Sequence, residues 1–469
     1  MKLALHLKLI LFLGFFQQSM AADQVVSLKQ YIEMAQSKDP SVQAAKMATE
    51  GARLIENNAK LMTGLNLFAN GSYLNDGRPT SNVAFMGDKT TNNNYAIGIQ
   101  QQTSFGLSWS LSHNYSYTKI NNASLLPMPE FYDAYPKLEL SLPLWRNWLG
   151  SETQSVQGQI ENQLKVQKIN SELARLQKEM EIKDAFYNLA TQQKSFEIQK
   201  DSLQRAERLL GWSEARASRN LSDKSDVYQT QALVSSRKLE LMSAEVKLKE
   251  AARAFNSFLE IDSDVVSTRL VTDEIDVKEL ELNKKQAKAR LDLLLQKENL
   301  KAAEASYLAQ KEKNKPSLNL SLSMLRQGRD ATASGAQTRI TSENKDYQAV
   351  QLTFNMPLDL GNLSDSKEGY ALLANSQVLA EKARTKMESL QWKNTVDQAE
   401  TLSQQLRIVR DLETVQKNKA DLERTKYNNG RSTTYQVLMF EQDYVNSRNQ
   451  KLNLEFQVRK FLTSLELYK

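Results

Sequence analysis

The distribution of proline constrains this chain more than any other feature of its sequence. The eight prolines lie at 40, 79, 127, 129, 136, 143, 316 and 357. None lies between Pro143 and Pro316 or after Pro357. Proline breaks the interior of an α-helix, and strong helix formers dominate both proline-free stretches. We therefore expect very long helices in these stretches, the longest running from Pro143 to near Asn220 and from Pro357 to near Gly430.

Apolar residues in these stretches repeat at the spacing of a coiled coil. The core of an ordinary helical bundle gives a similar pattern, but the length of the stretches favours paired long helices. The clearest series are Val234-Leu241-Leu248-Phe255 and Leu402-Leu406-Val409.

Two separate windows carry the alternation of β-strands. Apolar residues alternate with small polar ones along the sequence, as in Leu107–Tyr117 and in Leu318–Met324. Over about ten residues this alternation is typical of membrane barrel strands, although a half-buried strand of a soluble sandwich has the same period. The very long helices between the windows favour the membrane barrel. The predicted strands are 64–74, 94–102, 106–118 and 135–142 in the first window and 317–324 and 350–355 in the second.

The chain contains two copies of one plan. Leu65-Asn66-Leu67 corresponds to Leu318-Asn319-Leu320, Leu142-Pro143-Leu144 to Met356-Pro357-Leu358, and Asn220 to Gly430. Each copy has a helix, strands, a proline, a long helix, a turn and a returning helix. The first copy has extra residues in its strand window, which we interpret as one additional hairpin.

Composition excludes several classes of function. The chain has no Cys and only two His, which excludes disulfides, thiolate zinc sites, His-cluster metal sites and a cysteine nucleophile. It has 61 Lys and Arg against 55 Asp and Glu, spread along the chain, so no nucleic-acid footprint is indicated. No phosphate loop or paired catalytic carboxylates stand out. We predict no enzyme activity, no cofactor and no metal.

The duplicated plan resembles the TolC-like family of outer-membrane efflux and secretion channels. The segments that carry the resemblance are the two proline junctions, Leu142-Pro143-Leu144-Trp145 and Met356-Pro357-Leu358, and the stretch Tyr427–Leu438. The resemblance implies an α+β membrane protein, in which a trimeric transmembrane β-barrel continues into a periplasmic coiled-coil barrel. It further implies a periplasmic adaptor, an inner-membrane pump or ABC exporter, and outer-membrane lipid as partners.

The chain is divided into the following predicted segments. Residues 1–21, with Lys2, Lys8 and an apolar run, are predicted to be a signal peptide. The remaining assignments are 22–62 periplasmic helix, 63–142 barrel strands and extracellular loops, 143–262 long helical hairpin, 263–315 linker and periplasmic helix, 316–356 barrel strands and 357–469 second long helical hairpin.

Barrel closure argues for an oligomer independently of the resemblance. Four to six strands cannot close an aqueous barrel, and open sheet edges are not tolerated in lipid. Three chains give 12 strands if each supplies four, or 18 if the extra hairpin enters the wall. The sequence leaves both arrangements open.

The resemblance also implies a gate at the turns of the two long hairpins, where the adaptor binds. Asp226, near Asp223, occupies an acidic family position, whereas the second hairpin has Gln436 and Met439 at the acidic positions. The second turn thus departs from the family pattern, in which acidic residues at both hairpin turns form a double ring at the gate. Solvated loop residues are the alternative interpretation. The predicted gate and adaptor residues are Asn220, Leu221, Asp223, Asp226, Tyr427, Gly430, Arg431, Ser432 and Gln436.

Two further features lie where strands meet helices. Pro143 and Pro357 mark the strand–helix junctions. Trp145 and Trp148 are interpreted as aromatics at the membrane interface, with core packing as the alternative.

Together these features predict a passive outer-membrane exit duct of a tripartite efflux or type I secretion system, gated at its periplasmic tips. A secreted coiled-coil structural or adaptor protein without a pore is the alternative function. The sequence does not name the cargo, the pump or the resting state.

Overall fold

The protein is described from a computed structural model that covers residues 25–282, 289–343 and 345–468. The predicted signal peptide, residues 1–21, lies outside these described residues. The α-helices are α1 Leu28–Lys38, α2 Pro40–Ile55, α3 Val83–Met86, α4 Ser151–Ser218, α5 Lys224–Ser257, α6 Leu291–Lys313, α7 Ala333–Ser342, α8 Leu360–Asn428 and α9 Thr434–Ser464. The strands are β1 Val25–Val26, β2 Asn66–Asp76, β3 Lys89–Gln102, β4 Ser108–Asn121, β5 Glu130–Pro143, β6 Arg269–Leu270, β7 Ser317–Arg326, β8 Gly328–Asp330 and β9 Asp346–Asn355.

The chain divides into two compact units, each made of separate segments. The first comprises the described parts of Met1–Glu50, Ser171–Leu291 and Met387–Lys469. The second comprises Gly51–Asn170 and Asp292–Lys386. Each unit takes segments from both copies of the duplicated plan.

The first unit is helical, and its largest buried cluster joins α1, α4 and α5. Tyr31 of α1 is fully buried against Phe186 and Phe255. Its ring stacks on Phe255 with centroids 4.0 Å apart, and its hydroxyl donates to the main-chain oxygen of Phe255 at 2.9 Å. A second cluster joins α8 and α9 through Leu406 and Val458. Burial of these apolar faces holds the long helices together, since helix propensity alone is a weak force.

The predicted seven-residue series lie on the inward faces of the helices. Val234 and Phe255 of α5 are buried, as are Leu402, Leu406 and Val409 of α8. The helices α4 and α8 have 68 and 69 residues, so the two long helices are nearly equal in length.

The second unit contains one large antiparallel sheet. Its order is β2-β3-β4-β5-β7-β9, and the short strand β8 pairs with β5. Four long strands come from the first copy and two from the second, so the predicted extra hairpin is part of the same sheet. The turn between β3 and β4 is tight, because Thr103 N donates to the Leu107 carbonyl oxygen at 2.8 Å and Gly106 adopts φ +94°.

Three expectations about the helices need correction. The helix predicted over 22–62 is interrupted at Asp39, because Pro40 restrains the residue before it and begins α2. The long helices begin at Ser151 and Leu360, not at Pro143 and Pro357. Before Ser151, positive φ at Asn147 and Gly150 forms a turn that delays the start of α4. The helix predicted over 277–315 is α6, which begins only at Leu291.

Across residues 25–282, 289–343 and 345–468, no helix combines the length and the apolar character needed to cross a bilayer.

Candidate functional site

The large sheet has two chemically different faces. Cross-strand register places Leu140 opposite both Trp109 and Leu322, so the apolar positions of neighbouring strands share one face, here called the apolar face. The opposite face, here called the polar face, carries mainly small and amide side chains. The apolar face includes Leu67, Ile97, Ile99, Trp109, Leu111, Leu138, Leu140, Leu142, Leu318, Leu320, Leu322, Val350, Leu352 and Phe354. The polar face includes Asn66, Gln100, Ser108, Ser110, Ser112, Glu139, Ser141, Asn319, Ser321, Ser323, Gln351 and Thr353.

The apolar face is open to its surroundings. Leu67, Val350 and Leu352 have 74%, 73% and 62% of their surface exposed. A soluble sandwich would bury such a face against a second sheet. The six long strands have 10 to 14 residues, which reaches the ~9–11 residues of a transmembrane strand. The exposed face and the strand length fit a lipid-facing wall.

A short helix covers one end of the apolar face. Helix α7 packs against Ala134 through Ala336 and Ile340, with Tyr115 and Tyr132 beside them. The fit requires Gly328, because a Cβ there would lie 2.1 Å from the Ala336 carbonyl oxygen. This helix was not predicted, because its Ala, Ser and Gly residues are typical of a loop.

The predicted strand–helix junctions lie in different surroundings. Pro143 is buried as the last residue of β5, whereas Pro357 is exposed in the segment before α8. Trp145 and Trp148 are each 49% exposed, so neither side chain is enclosed in the core of the chain. Half-exposed Trp side chains are compatible with the predicted interfacial position.

The two hairpin turns have the same backbone geometry. The first tip, residues 219–223, has Asn220 at φ +56°, and the second tip, residues 429–433, has Gly430 at φ +73°. Leu221 N donates to the Arg216 carbonyl oxygen at 2.9 Å, and Arg431 N donates to that of Lys426 at 2.8 Å. Both are left-handed helix C-caps of the Schellman type. The correspondence of Asn220 with Gly430 thus holds at the level of backbone conformation.

A pair of substitutions separates backbone strain from lost contacts at the second tip. A Cβ at Gly430 would meet no atom within 4 Å, so Gly430→Ala should cost only the left-handed conformation, about 1 kcal/mol of local stability. Gly211→Ala, in the interior of α4 and also with free space, should instead stabilise by about 0.5–1 kcal/mol. Amide hydrogen exchange near each site measures the change in local stability that each substitution causes. If both substitutions stabilised or both destabilised the protein, the assigned left-handed turn at Gly430 would be contradicted.

The acidic positions of the first tip lie at the start of α5. Asp223 is the N-cap residue of α5, and Asp226 lies in its first turn. At the second tip Thr433 and Gln436 form a reciprocal capping box at the start of α9. Asp226 and Gln436 therefore share one helical position, and a carboxylate there also interacts favourably with the helix dipole. The three-residue spacing of Thr433 and Gln436 is the sequence signal of such a capping box.

Tyr427 is a core residue of the second tip. It is 1% exposed and packs with Leu209 and Val437. Its hydroxyl lies 3.2 Å from Thr434 Oγ1. The side chain is therefore enclosed within the chain, whereas Asn220, Leu221, Asp223, Gly430 and Arg431 are exposed.

Arg216, which the sequence reasoning did not single out, joins the two tips. It lies in the last turn of α4, and its Nη1 donates to the main-chain oxygen of Tyr427 at 3.1 Å. Its guanidinium carbon lies 4.8 Å from the centroid of the Tyr427 ring, within cation–π distance. Its partner is far away in sequence, so no local signal could have identified the contact.

Charged contacts continue this connection along the helices. Glu441 of α9 forms an ion pair with Arg205 of α4, with Oε2 3.3 Å from Nε, and also pairs with Arg424 of α8. Asp201 of α4 accepts from Arg448 of α9 at 2.7 Å. These ion pairs hold α4 against the α8–α9 hairpin.

Ser432 is held within the second tip by a carboxylate. Its Oγ donates to Glu423, which also accepts from Lys426 at 3.3 Å. The Ser432 hydrogen bond, followed by Lys426, lowers the pKa of Glu423 despite partial burial. Because the folded pKa is lowered, the contribution of this carboxylate is present above the ordinary glutamate pKa and is lost as the pH falls through the lowered value.

Comparison with known proteins supplies the fold. No protein-family model matches the chain, and no curated protein matches it in sequence. Solved structures match along almost all of it. The outer membrane protein VceC from Vibrio cholerae matches with a TM-score of 0.63, covering 94% of this chain and 95% of VceC at 15% identity. This chain has the TolC-like outer-membrane channel fold.

Two further channels share the TolC-like fold. The CmeC outer membrane channel of Campylobacter jejuni matches with a TM-score of 0.62, 94% of this chain, 85% of CmeC and 12% identity. The open state of the MtrE outer membrane channel of Neisseria gonorrhoeae matches with a TM-score of 0.60. The match covers 94% of this chain and 88% of MtrE at 15% identity. The predicted resemblance is thereby confirmed as one of fold, and these neighbours are channels rather than enzymes.

Proposed function

We propose that the protein is the outer-membrane exit duct of a tripartite efflux or type I secretion system. The observation that carries the proposal is the sheet of six long strands, whose apolar face leaves Leu67, Val350 and Leu352 more than half exposed. In lipid such a face needs no protein cover, and the polar face suits a water-filled lumen. The TolC-like fold supports the same conclusion.

Three copies would together form the channel. The strands within 63–142 and 316–356 would form the barrel in the outer membrane. The segments 22–62, 143–262, 263–315 and 357–469 would form the periplasmic helices. The pore itself is passive, so an adaptor and an inner-membrane pump or ABC exporter would supply energy and selectivity.

The two tips would form the periplasmic gate. The exposed Asn220, Leu221, Asp223 and Arg431 are available for contact with an adaptor. Buried Tyr427, tied to Arg216, would instead hold the α8–α9 hairpin against α4. In this proposal an adaptor opens the duct by separating these helices.

Fractionation of cells that express a tagged chain tests the proposal. We expect the protein in the outer-membrane fraction, as an oligomer that dissociates on heating in SDS. Purified in detergent, it should form ion-conducting pores in planar bilayers. A water-soluble monomer obtained without detergent would overturn the proposal and favour a secreted coiled-coil protein without a pore.

A further inference from the structure

The large sheet ends in two long unpaired edges. Among the residues that the structure describes, strands β2 and β9 each pair on one side only, with β3 and β7 respectively. They have 11 and 10 residues, and nearly all of these residues are exposed. Each edge presents a row of free main-chain donors and acceptors.

Neither edge carries the features that keep sheet edges apart. Soluble proteins protect long edges with lysine, proline, bulges or very short strands. The sequences NLFANGSYLND of β2 and DYQAVQLTFN of β9 contain no Lys, Arg or Pro. In lipid, free main-chain groups are too costly to leave unpaired. Both edges therefore require a partner strand.

The two edges suit each other. All neighbouring long strands of the sheet are antiparallel, and with six of them β2 and β9 run in opposite directions. A second copy placed beside the first would therefore continue the antiparallel pattern. Leu67 of β2 and Phe354 of β9 lie on the apolar face, so pairing them keeps both faces continuous across the junction.

We propose that β9 of one copy pairs with β2 of the next, so that all six long strands of each chain enter the barrel wall. This inference rests on the proposed function. Because different edges meet, the contact is heterologous, and such contacts form a ring when the rotation between copies closes. With three copies the wall has 18 strands, and a lumen about 1.5 times as wide as that of a 12-stranded wall.

The full overlap of the two strands defines a register. Ala69 then lies opposite Leu352 on the apolar face, and Asn70 lies opposite Gln351 on the polar face. Successive antiparallel pairs alternate between closer and wider spacing, so one of these two pairs is the closer kind.

Disulfide crosslinking in isolated outer membranes tests the pairing, because the chain has no Cys of its own. We expect Ala69→Cys with Leu352→Cys, or Asn70→Cys with Gln351→Cys, to give a covalent ladder that ends at three chains under non-reducing conditions. Neighbouring registers are covered by moving the β9 cysteine two residues either way. Ala69→Cys with Gln351→Cys places the thiols on opposite faces and should give no ladder.

A 12-stranded wall makes a different prediction. If the β2–β3 hairpin stayed outside the wall, β9 would pair with β4 of the next copy. His113 lies level with Ala69 across the β2–β3–β4 ladder, so His113→Cys with a β9 cysteine would then crosslink. That result, or heat-dissociable oligomers without any β2–β9 crosslink, overturns the 18-stranded wall and leaves the exit duct standing. A chain found as a soluble monomer overturns both.

Discussion

Replacing Leu140 with arginine should nearly abolish assembly in the outer membrane, whereas Ser141→Arg, one residue further along β5, should not. Leu140 lies on the apolar face, between Trp109 of β4 and Leu322 of β7. An arginine on the lipid face costs up to about 2–4 kcal/mol, the value at the bilayer midplane. Three copies would multiply that cost to roughly 6–12 kcal/mol per assembly.

The control substitution, Ser141→Arg, tests the opposite face of the sheet. Ser141 lies on the polar face, beside Ser321, where a charged side chain would project into water. We expect Ser141→Arg to retain most of the heat-dissociable oligomer, quantified by unheated gels of outer-membrane fractions. Leu322→Arg and Ser321→Arg, on β7, should repeat the contrast. Equal losses for both faces would contradict the lipid-facing assignment, because a water-exposed sheet has no reason to distinguish them.

Much of the fold was predictable because it depends on local periodicity. Strand alternation placed β7 at 317–324, close to the observed Ser317–Arg326, since the pleat itself has period two. The duplicated plan matched Asn220 with Gly430, which share positive φ. A left-handed helix cap admits Gly and Asn for the same steric reason, so the substitution left a readable signal.

What escaped prediction depends on contacts between distant residues. Helix α7 has a loop-like composition and is placed by its packing against Ala134 of β5, which is far away in the sequence. Tyr427 was expected beside an exposed turn, yet its side chain is buried by Leu209 and Val437. The start of α4 at Ser151 is set by a turn with positive φ at Asn147 and Leu149, a conformation that composition does not reveal for Leu.

The contact between Arg216 and Tyr427 leads to the second large prediction, in which Arg216→Ala opens the pore. The guanidinium combines a charge-assisted hydrogen bond to the Tyr427 main-chain oxygen with contact to the ring. Such contacts together are worth about 2 kcal/mol in a partly exposed position. In a trimer whose three ties open together, about 6 kcal/mol would favour closure, on the order of 10⁴-fold in the closed-to-open ratio.

Single-channel recording in planar bilayers measures that ratio. We expect Arg216→Ala to raise the conductance or the open time severalfold over the parent protein. Arg216→Lys, which keeps the charge but loses the planar group that stacks on the ring, should lie between the two. Arg208→Ala, an exposed arginine about two turns before Arg216 in α4 and outside the tip, serves as the matched control and should leave the pore unchanged.

The same variants separate gating from folding. Arg216→Ala must yield as much heat-dissociable oligomer as the parent for the recording to report the gate. If the oligomer is lost, Tyr427→Leu provides the second measurement, because it removes the ring and leaves the main-chain oxygen in place. That variant should raise the conductance less than loss of Arg216 would. Parental conductance in every folded variant of Arg216 and Tyr427 would show that this pair does not hold the tips closed, and ion pairs such as that of Glu441 with Arg205 would then become the next elements to remove.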